Sequence, residues 1–178
     1  GAKVKINDYE YTTKKPEIGM LDYYGVKLQL VEIPSLFENF EESPKGPLYL
    51  SLIRQADLIL LFFKTPEEKN MLSRELDKAE IHAPVLIYNN QKDIMDQIWN
   101  RLPLIKVKTK MPGKKPDYPP IALKKGSTIK DLAEHVHKDF LKKFRFARVW
   151  GKSVKYQGQT VGYDHVLSDD DVVELHMK

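Results

Sequence analysis

There is no cysteine among the 178 residues of the chain. This excludes disulfides, thiolate metal sites and cysteine nucleophiles, and it fits a reducing compartment such as the cytoplasm. Long hydrophobic runs are missing too. The most apolar stretch, Leu58 to Phe63, is bounded by Asp57 and Lys64, well short of the roughly 20 apolar residues a membrane-spanning helix needs, so no membrane partner is expected. Charge of one sign is in only slight excess, with 29 Lys and Arg against 25 Asp and Glu and a net charge of +4. Any contact with a polyanion must therefore come from local clustering. The chain opens on Gly-Ala without a methionine or a secretory pattern, which reads as a fragment of a longer parent.

Hydrophobic residues make up 42 % of the chain, enough for packed cores in one ordinary domain or two small ones. Residues 9 to 19 carry Pro16 and Gly19 without a clean period and read as a loop. Met20 to Tyr24 and Val26 to Ile33, split by Gly25, predict a hairpin. After an irregular acidic segment, Phe37 to Pro47, a helix is expected from about Leu48 to Ala56. Asp57 to Phe63 and Pro84 to Tyr88 read as short strands of a parallel sheet. Between them Thr65, Pro66, Glu67 and Glu68 form a helix start, and that helix should reach about Glu80. Ile94 to Leu102 is a further helix. Alternation of strands and helices points to an α/β unit.

The composition changes at Pro103. Lys106, Lys108, Lys110, Lys114 and Lys115 with repeated prolines predict a stiff basic connector that pairs as a strand only briefly. Beyond it, Ile121 to Leu123 reads as a strand. Thr128 to Asp131 opens a helix whose apolar positions run from Ile129 to Leu141. Strands at Phe144 to Trp150, around Val154 to Val161 and at Val172 to Met177 complete a small sheet on one helix, a β-grasp unit.

Residues 120 to 178, with Leu123-Lys124-Lys125-Gly126-Ser127-Thr128, Phe146-Ala147-Arg148-Val149-Trp150-Gly151-Lys152-Ser153-Val154-Lys155 and Leu167-Ser168-Asp169-Asp170-Asp171-Val172-Val173-Glu174, resemble the TGS domain of the developmentally regulated GTP-binding proteins. Tyr9-Glu10-Tyr11-Thr12-Thr13 through Pro16 and Gly19 resembles the first switch loop of Obg-related GTPases. Leu30 to Leu36 stands where those proteins carry the second switch. The fold this implies is α/β: an incomplete P-loop-GTPase-like, mostly parallel sheet with helices over 1–102, the basic Pro-rich connector over 103–119, and a β-grasp (ubiquitin-like) TGS domain over 120–178.

The resemblance also supplies a nucleotide site for a completed G domain: Thr12, Thr13, Glu32, Ser35, Asn90 and Asp93, with Thr13 and Glu32 toward Mg²⁺. The chain departs from the pattern at each part. It has no G-x-x-x-x-G-K-[ST] loop to hold phosphates. Glu32 and Ser35 stand in place of the switch aspartate and glycine, and Gln91 stands where the family has the lysine of N-K-x-D. Asn90 and Asp93 are thus either base readers or a polar turn with Asp93 capping the next helix, and Pro84 to Tyr88 is either the base-reading strand or the last strand of the sheet. His135 and His137 lie two apart on a helix and so do not share a ligand. No catalytic residue and no cofactor is expected in this chain alone, GTP and Mg²⁺ belonging to an intact, active parent.

The second candidate site is basic. Lys142, Arg145, Arg148, Lys152 and Lys155 alternate with Phe144, Phe146, Trp150 and Tyr156, a pattern suited to RNA. The plainer reading of the aromatics is core, Phe144, Phe146 and Arg148 sharing one face, with the lysines left for a partner. Asp169, Asp170 and Asp171 oppose that basic field. The expected function is a non-catalytic or regulatory GTP-binding-protein-related module, its TGS domain contacting RNA, the ribosome or a regulatory protein in translation. The alternative is a fragment of an active Mg²⁺-dependent GTPase whose phosphate loop lies upstream. A TGS appendage of a tRNA synthetase or a (p)ppGpp synthetase is disfavoured, since the upstream residues lack their catalytic patterns.

Overall fold

The computed structural model describes residues 15–90, 92–136 and 143–177. Thr12, Thr13 and Lys142 lie outside the described residues. The chain divides into two compact units, one running to Leu21 and over Leu28–Leu102, the other made of Asp22–Lys27 and Pro103 onward.

β1 (Glu17–Tyr23) and β2 (Val26–Glu32) pair as a two-stranded sheet whose tip, Asp22–Lys27, is counted with the second unit. Their two-residue link, Tyr24-Gly25, has φ of 48° and 89°, the positive values that tight hairpin turns require and that glycine supplies without strain. A 3₁₀ turn at Phe40–Glu42 leads to α1 (Gly46–Arg54), β3 (Ile59–Leu61), α2 (Pro66–Lys78), β4 (Val85–Ile87) and α3 (Ile94–Arg101). The α2 start follows its sequence signals: Pro66 opens the helix and Thr65 Oγ1 accepts a bond from the Glu68 amide at 3.3 Å. β3 and β4 pair in parallel, Ile59 opposite Val85.

The core of the first unit gathers Phe40, Tyr49, Leu50, Ile53, Leu61, Leu72, Leu76 and Ala79. Glu75 is buried among them on α2, accepts the Phe40 amide at 3.0 Å and pairs with Lys78 at 2.9 Å. Burial works against its charge, but these bonds outweigh it and hold its pKa below the usual carboxylate value. Phe37 to Pro47, expected to be irregular, is thus pinned to α2 by one carboxylate.

In the second unit five strands run in the order β6-β5-β9-β7-β8. They are β5 (Leu104–Thr109), β6 (Ile121–Lys124), β7 (Phe144–Trp150), β8 (Gln159–Val161) and β9 (Val172–Met177), with α4 (Ile129–Val136) between β6 and β7. Here the sequence expectation needs correction. Residues 104–109 are no connector: β5 pairs antiparallel with β6 and parallel with β9, and Ile105 and Val107 are in the core. Its composition is that of a linker, but its alternation is that of a strand with one buried face. The strand expected around Val154 is confined to Gln159–Val161.

Thr128 and Asp131 start α4 as a reciprocal cap. Asp131 Oδ2 accepts the Thr128 amide at 2.7 Å, and Thr128 Oγ1 accepts the Asp131 amide at 3.4 Å. Ile129, Leu132 and Ala133 of α4 are fully buried, and with Val107, Ala147, Val149 and Val173 they fill one side of the sheet. Each Val, Leu or Ile side chain among them contributes about 1.5–3 kcal/mol by leaving water.

Candidate nucleic-acid interface

One side of the five-stranded sheet packs on α4. The other side is built from the alternate residues, and the register fixes which they are. Phe146 pairs with His176, Arg148 with Glu174 and Trp150 with Val172 across β7 and β9. Lys108 pairs with Val172, and Arg148 also faces Thr160 of β8. Lys106 and Lys108 of β5, and Lys110 just after it, therefore share this outer side with Phe146, Arg148 and Trp150 of β7.

A bulge between Phe144 and Phe146 sets that arrangement. The extra residue turns Phe144 inward with Ala147 and Val149, while Phe146 falls on the outer side. Strict alternation put Phe144, Phe146 and Arg148 together, and the aromatics were expected to be core. Of these only Phe144 is core. Phe146 and Trp150 are half-buried on the outer side.

Both outer rings are held by neighbours. Phe146 stacks on His176 with centroids 4.3 Å apart and planes 16° apart. Lys110 Nζ lies 4.1 Å from the Trp150 ring centre, a cation–π contact. Lys110 also meets Glu174 at 3.3 Å, and His176 Nε2 meets the other Glu174 oxygen at 2.6 Å. The Glu174 side chain is only 4 % exposed. Burial opposes its charge, yet the His176 and Lys110 bonds outweigh burial and lower its pKa.

The acidic run Asp169-Asp170-Asp171 is likewise committed to structure. Lys106 Nζ meets Asp169 at 2.8 Å and Asp170 at 3.0 Å. Burial disfavours the Lys106 charge, but these bonds prevail and raise its pKa. At the same end Tyr23 of the hairpin tip, which belongs to this unit, places its ring 5.5 Å from Lys106 Nζ. Asp171 is fully buried. It accepts the amides of Ser168 at 2.8 Å, Lys152 at 3.0 Å and Ser153 at 3.4 Å. The turn after Trp150 passes so close that a side chain at Gly151, φ 150°, would collide with the Asp171 carboxylate. Sequence reading took these aspartates as diluting a basic field and missed that Asp171 holds the turn that presents Lys152.

Of the predicted RNA-facing residues, Arg148 is exposed on the outer side and Arg145 at the bulge, with its guanidinium 5.8 Å from the Phe146 ring centre. Lys152 and Lys155 are exposed in the turns after β7. None of these four side chains meets a carboxylate among the described residues. Charge is also unevenly shared along the chain. Residues 103–178 hold 16 Lys and Arg against 9 Asp and Glu, a net of +7, which leaves −3 for residues 1–102.

The predicted nucleotide residues that the structure describes lie on or beside different elements. Glu32 ends β2 and Ser35 follows it, both exposed. Asn90, with φ 60°, accepts a bond from the Tyr88 hydroxyl at 3.1 Å. Asp93 precedes α3 but makes no side-chain cap; its carboxylate accepts from Gln97 Nε2 at 3.1 Å. β2 and β4 belong to separate two-stranded sheets, so no ladder fixes Glu32 relative to Asn90. Among the described residues no group of three or more His, Asp or Glu is placed to hold a metal ion. The sequence has no G-x-x-x-x-G-K-[ST] loop to cradle phosphates.

A family model described as "50S ribosome-binding GTPase" matches residues 1–91, and one described as "TGS domain" matches residues 105–177. The chain belongs to this GTPase family. Within it the relatives are of the Obg-like, developmentally regulated kind. The chain is 45 % identical over 284 residues to an uncharacterized GTP-binding protein of Methanocaldococcus jannaschii, covering 99 % of this chain and 73 % of that one. It is 40 % identical over 107 residues to developmentally-regulated G-protein 3 of Arabidopsis thaliana, covering 58 % of this chain and 29 % of the relative. It is 42 % identical over 91 residues to developmentally-regulated GTP-binding protein 1 of Xenopus laevis, covering 50 % and 25 %. The chain thus spans between a quarter and a third of these two longer relatives. The archaeal match extends over 284 positions and this chain has 178 residues, so at least 106 of those positions have no counterpart here. A solved GTP binding protein from Pyrococcus horikoshii OT3 overlaps 64 % of this chain and 42 % of its own at TM-score 0.43 and 21 % identity.

The fold class is therefore α/β with a GTPase-related part and a β-grasp TGS domain. GTP and Mg²⁺ are ligands that the family implies for an intact protein.

Proposed function

We propose that the chain acts as a binding and regulatory module, its TGS unit contacting RNA or the ribosome in the cytoplasm during translation. The observation that carries this reading is the outer side of the five-stranded sheet. It presents Lys108, Arg148 and the Lys152 turn, while the nearby carboxylates are already bound to the protein's own cations and amides. Polyanion binding needs such uncommitted cations. In this reading the TGS unit starts at Pro103 and no separate connector exists, β5 supplying Lys106 and Lys108. On the same reading the part before Pro103 does not hydrolyse GTP by itself, because the sequence has no phosphate-cradling loop.

Co-sedimentation of the full chain with ribosomes tests this reading. Charge reversal at Lys152 and Lys155 should weaken binding and flatten its salt dependence; unchanged, salt-independent binding would point to a protein contact.

A second reading, supported by the family match over residues 1–91, is a fragment of an active Mg²⁺-dependent GTPase completed by an upstream phosphate loop, with Thr13, Glu32, Asn90 and Asp93 as ligands. Micromolar, Mg²⁺-dependent GTP binding by this chain would favour it.

A further inference from the structure

We propose that the outer sheet side recognises the phosphate backbone of base-paired RNA, and not unpaired bases by stacking. The inference rests on the reading that the TGS unit contacts RNA, and it names the kind of RNA.

Stacking recognition needs ring faces free to receive a base. The two rings on this side are occupied. Phe146 lies against His176 on one side and near Arg145 on another. The Trp150 indole carries Lys110 over its face, and Gly158 backs it so closely that a Cβ there would sit 3.2 Å from Nε1. A base could stack only by displacing a cation already bound to both a ring and the buried Glu174 carboxylate. The free groups are of another type. Lys108, Arg148, Lys152 and Lys155 are cations without a carboxylate partner among the described residues, and Thr160, exposed beside Arg148, adds a hydroxyl. A sheet side carrying several cations and the Thr160 hydroxyl suits the wide, shallow minor groove of A-form RNA. That groove displays 2′-hydroxyls, is bordered by phosphates and is read by shape.

The experiment uses the full chain and two fluorescent RNAs of equal phosphate number, a hairpin with about 16 base pairs and an unpaired oligonucleotide, with anisotropy as the readout. The expected result is at least tenfold tighter binding of the hairpin. Arg148→Glu and, independently, Lys152→Glu should each cost about tenfold on the hairpin and lower the salt slope by about one. Phe146→Leu should change neither RNA's affinity by more than about twofold. Tighter binding of the unpaired RNA, lost in Phe146→Leu, would overturn this inference and leave the proposed RNA contact standing. Binding of neither RNA would overturn both. Circular dichroism of each variant separates lost binding from lost folding, and Lys152, exposed in a turn, supplies the variant least coupled to the core.

Discussion

Asp171→Ala is the substitution with the largest structural effect that the TGS unit predicts. The carboxylate is fully buried and accepts three backbone amides, two at 2.8 and 3.0 Å and a weaker third at 3.4 Å. A hydrogen bond to a charged group contributes about 1.5–3 kcal/mol net, and removing the acceptor strands its donors. The two short bonds set a cost of about 3–6 kcal/mol. Lys152 is exposed, so water can reach part of the turn, and the lower part of that range, about 3–4 kcal/mol, is expected. A unit of this size has roughly 4–11 kcal/mol in total, so the variant should stand close to unfolding. Urea denaturation followed by the NMR amide signals of β7 and β9 measures the loss in the intact chain. A loss below about 1 kcal/mol, with the Lys152 and Ser168 amides still protected from exchange, would refute the assignment of Asp171 as the anchor of the turn.

Three further outcomes follow from the same geometry. Thr128→Ala should cost about 1 kcal/mol by removing half of the α4 capping box, read from the same urea curves. Glu174 has a folded pKa below its unfolded one; its contribution is therefore present above the ordinary carboxylate pKa of about 4.3 and lost as pH falls through the lower folded value. Urea midpoints taken down the acid limb should drop less steeply in Glu174→Gln than in the parent. Titration of the chain with GTP and Mg²⁺ should show no micromolar complex by calorimetry, and Asn90→Ala or Asp93→Ala should leave that result unchanged.

What the sequence disclosed depended on whether the signal was local. The hairpin, the Thr65-Pro66 helix start, the Thr128-Asp131 cap and the last strand each carry their cause within a few residues, and each was readable. Lys106, Lys108 and Lys110 were misread as connector because the prolines around them set the local composition, while Ile105 and Val107 are buried by partners distant in sequence. The bulge in β7 is a single unpaired residue created by its ladder with β9. No pattern inside Phe144 to Trp150 announces it, yet it decides which aromatics are core. The three aspartates looked like a charge run until their partners Lys106 and the Lys152 amide came into view. The nucleotide candidates were found by motif resemblance, and motif spacing carries no information on whether their strands share a sheet.

The salt dependence of RNA binding bears most directly on the central claim. If Lys108, Arg145, Arg148, Lys152 and Lys155 each neutralise a phosphate, log K against log salt should have a slope of about −4, a loss of a few hundredfold between roughly 50 and 200 mM salt. Reversing Arg148 and Lys152 together should bring the slope to about −2 to −3 with the fold intact. A slope near zero in the parent chain, or one unmoved by the two reversals, would contradict the assignment of this sheet side as the polyanion-binding surface.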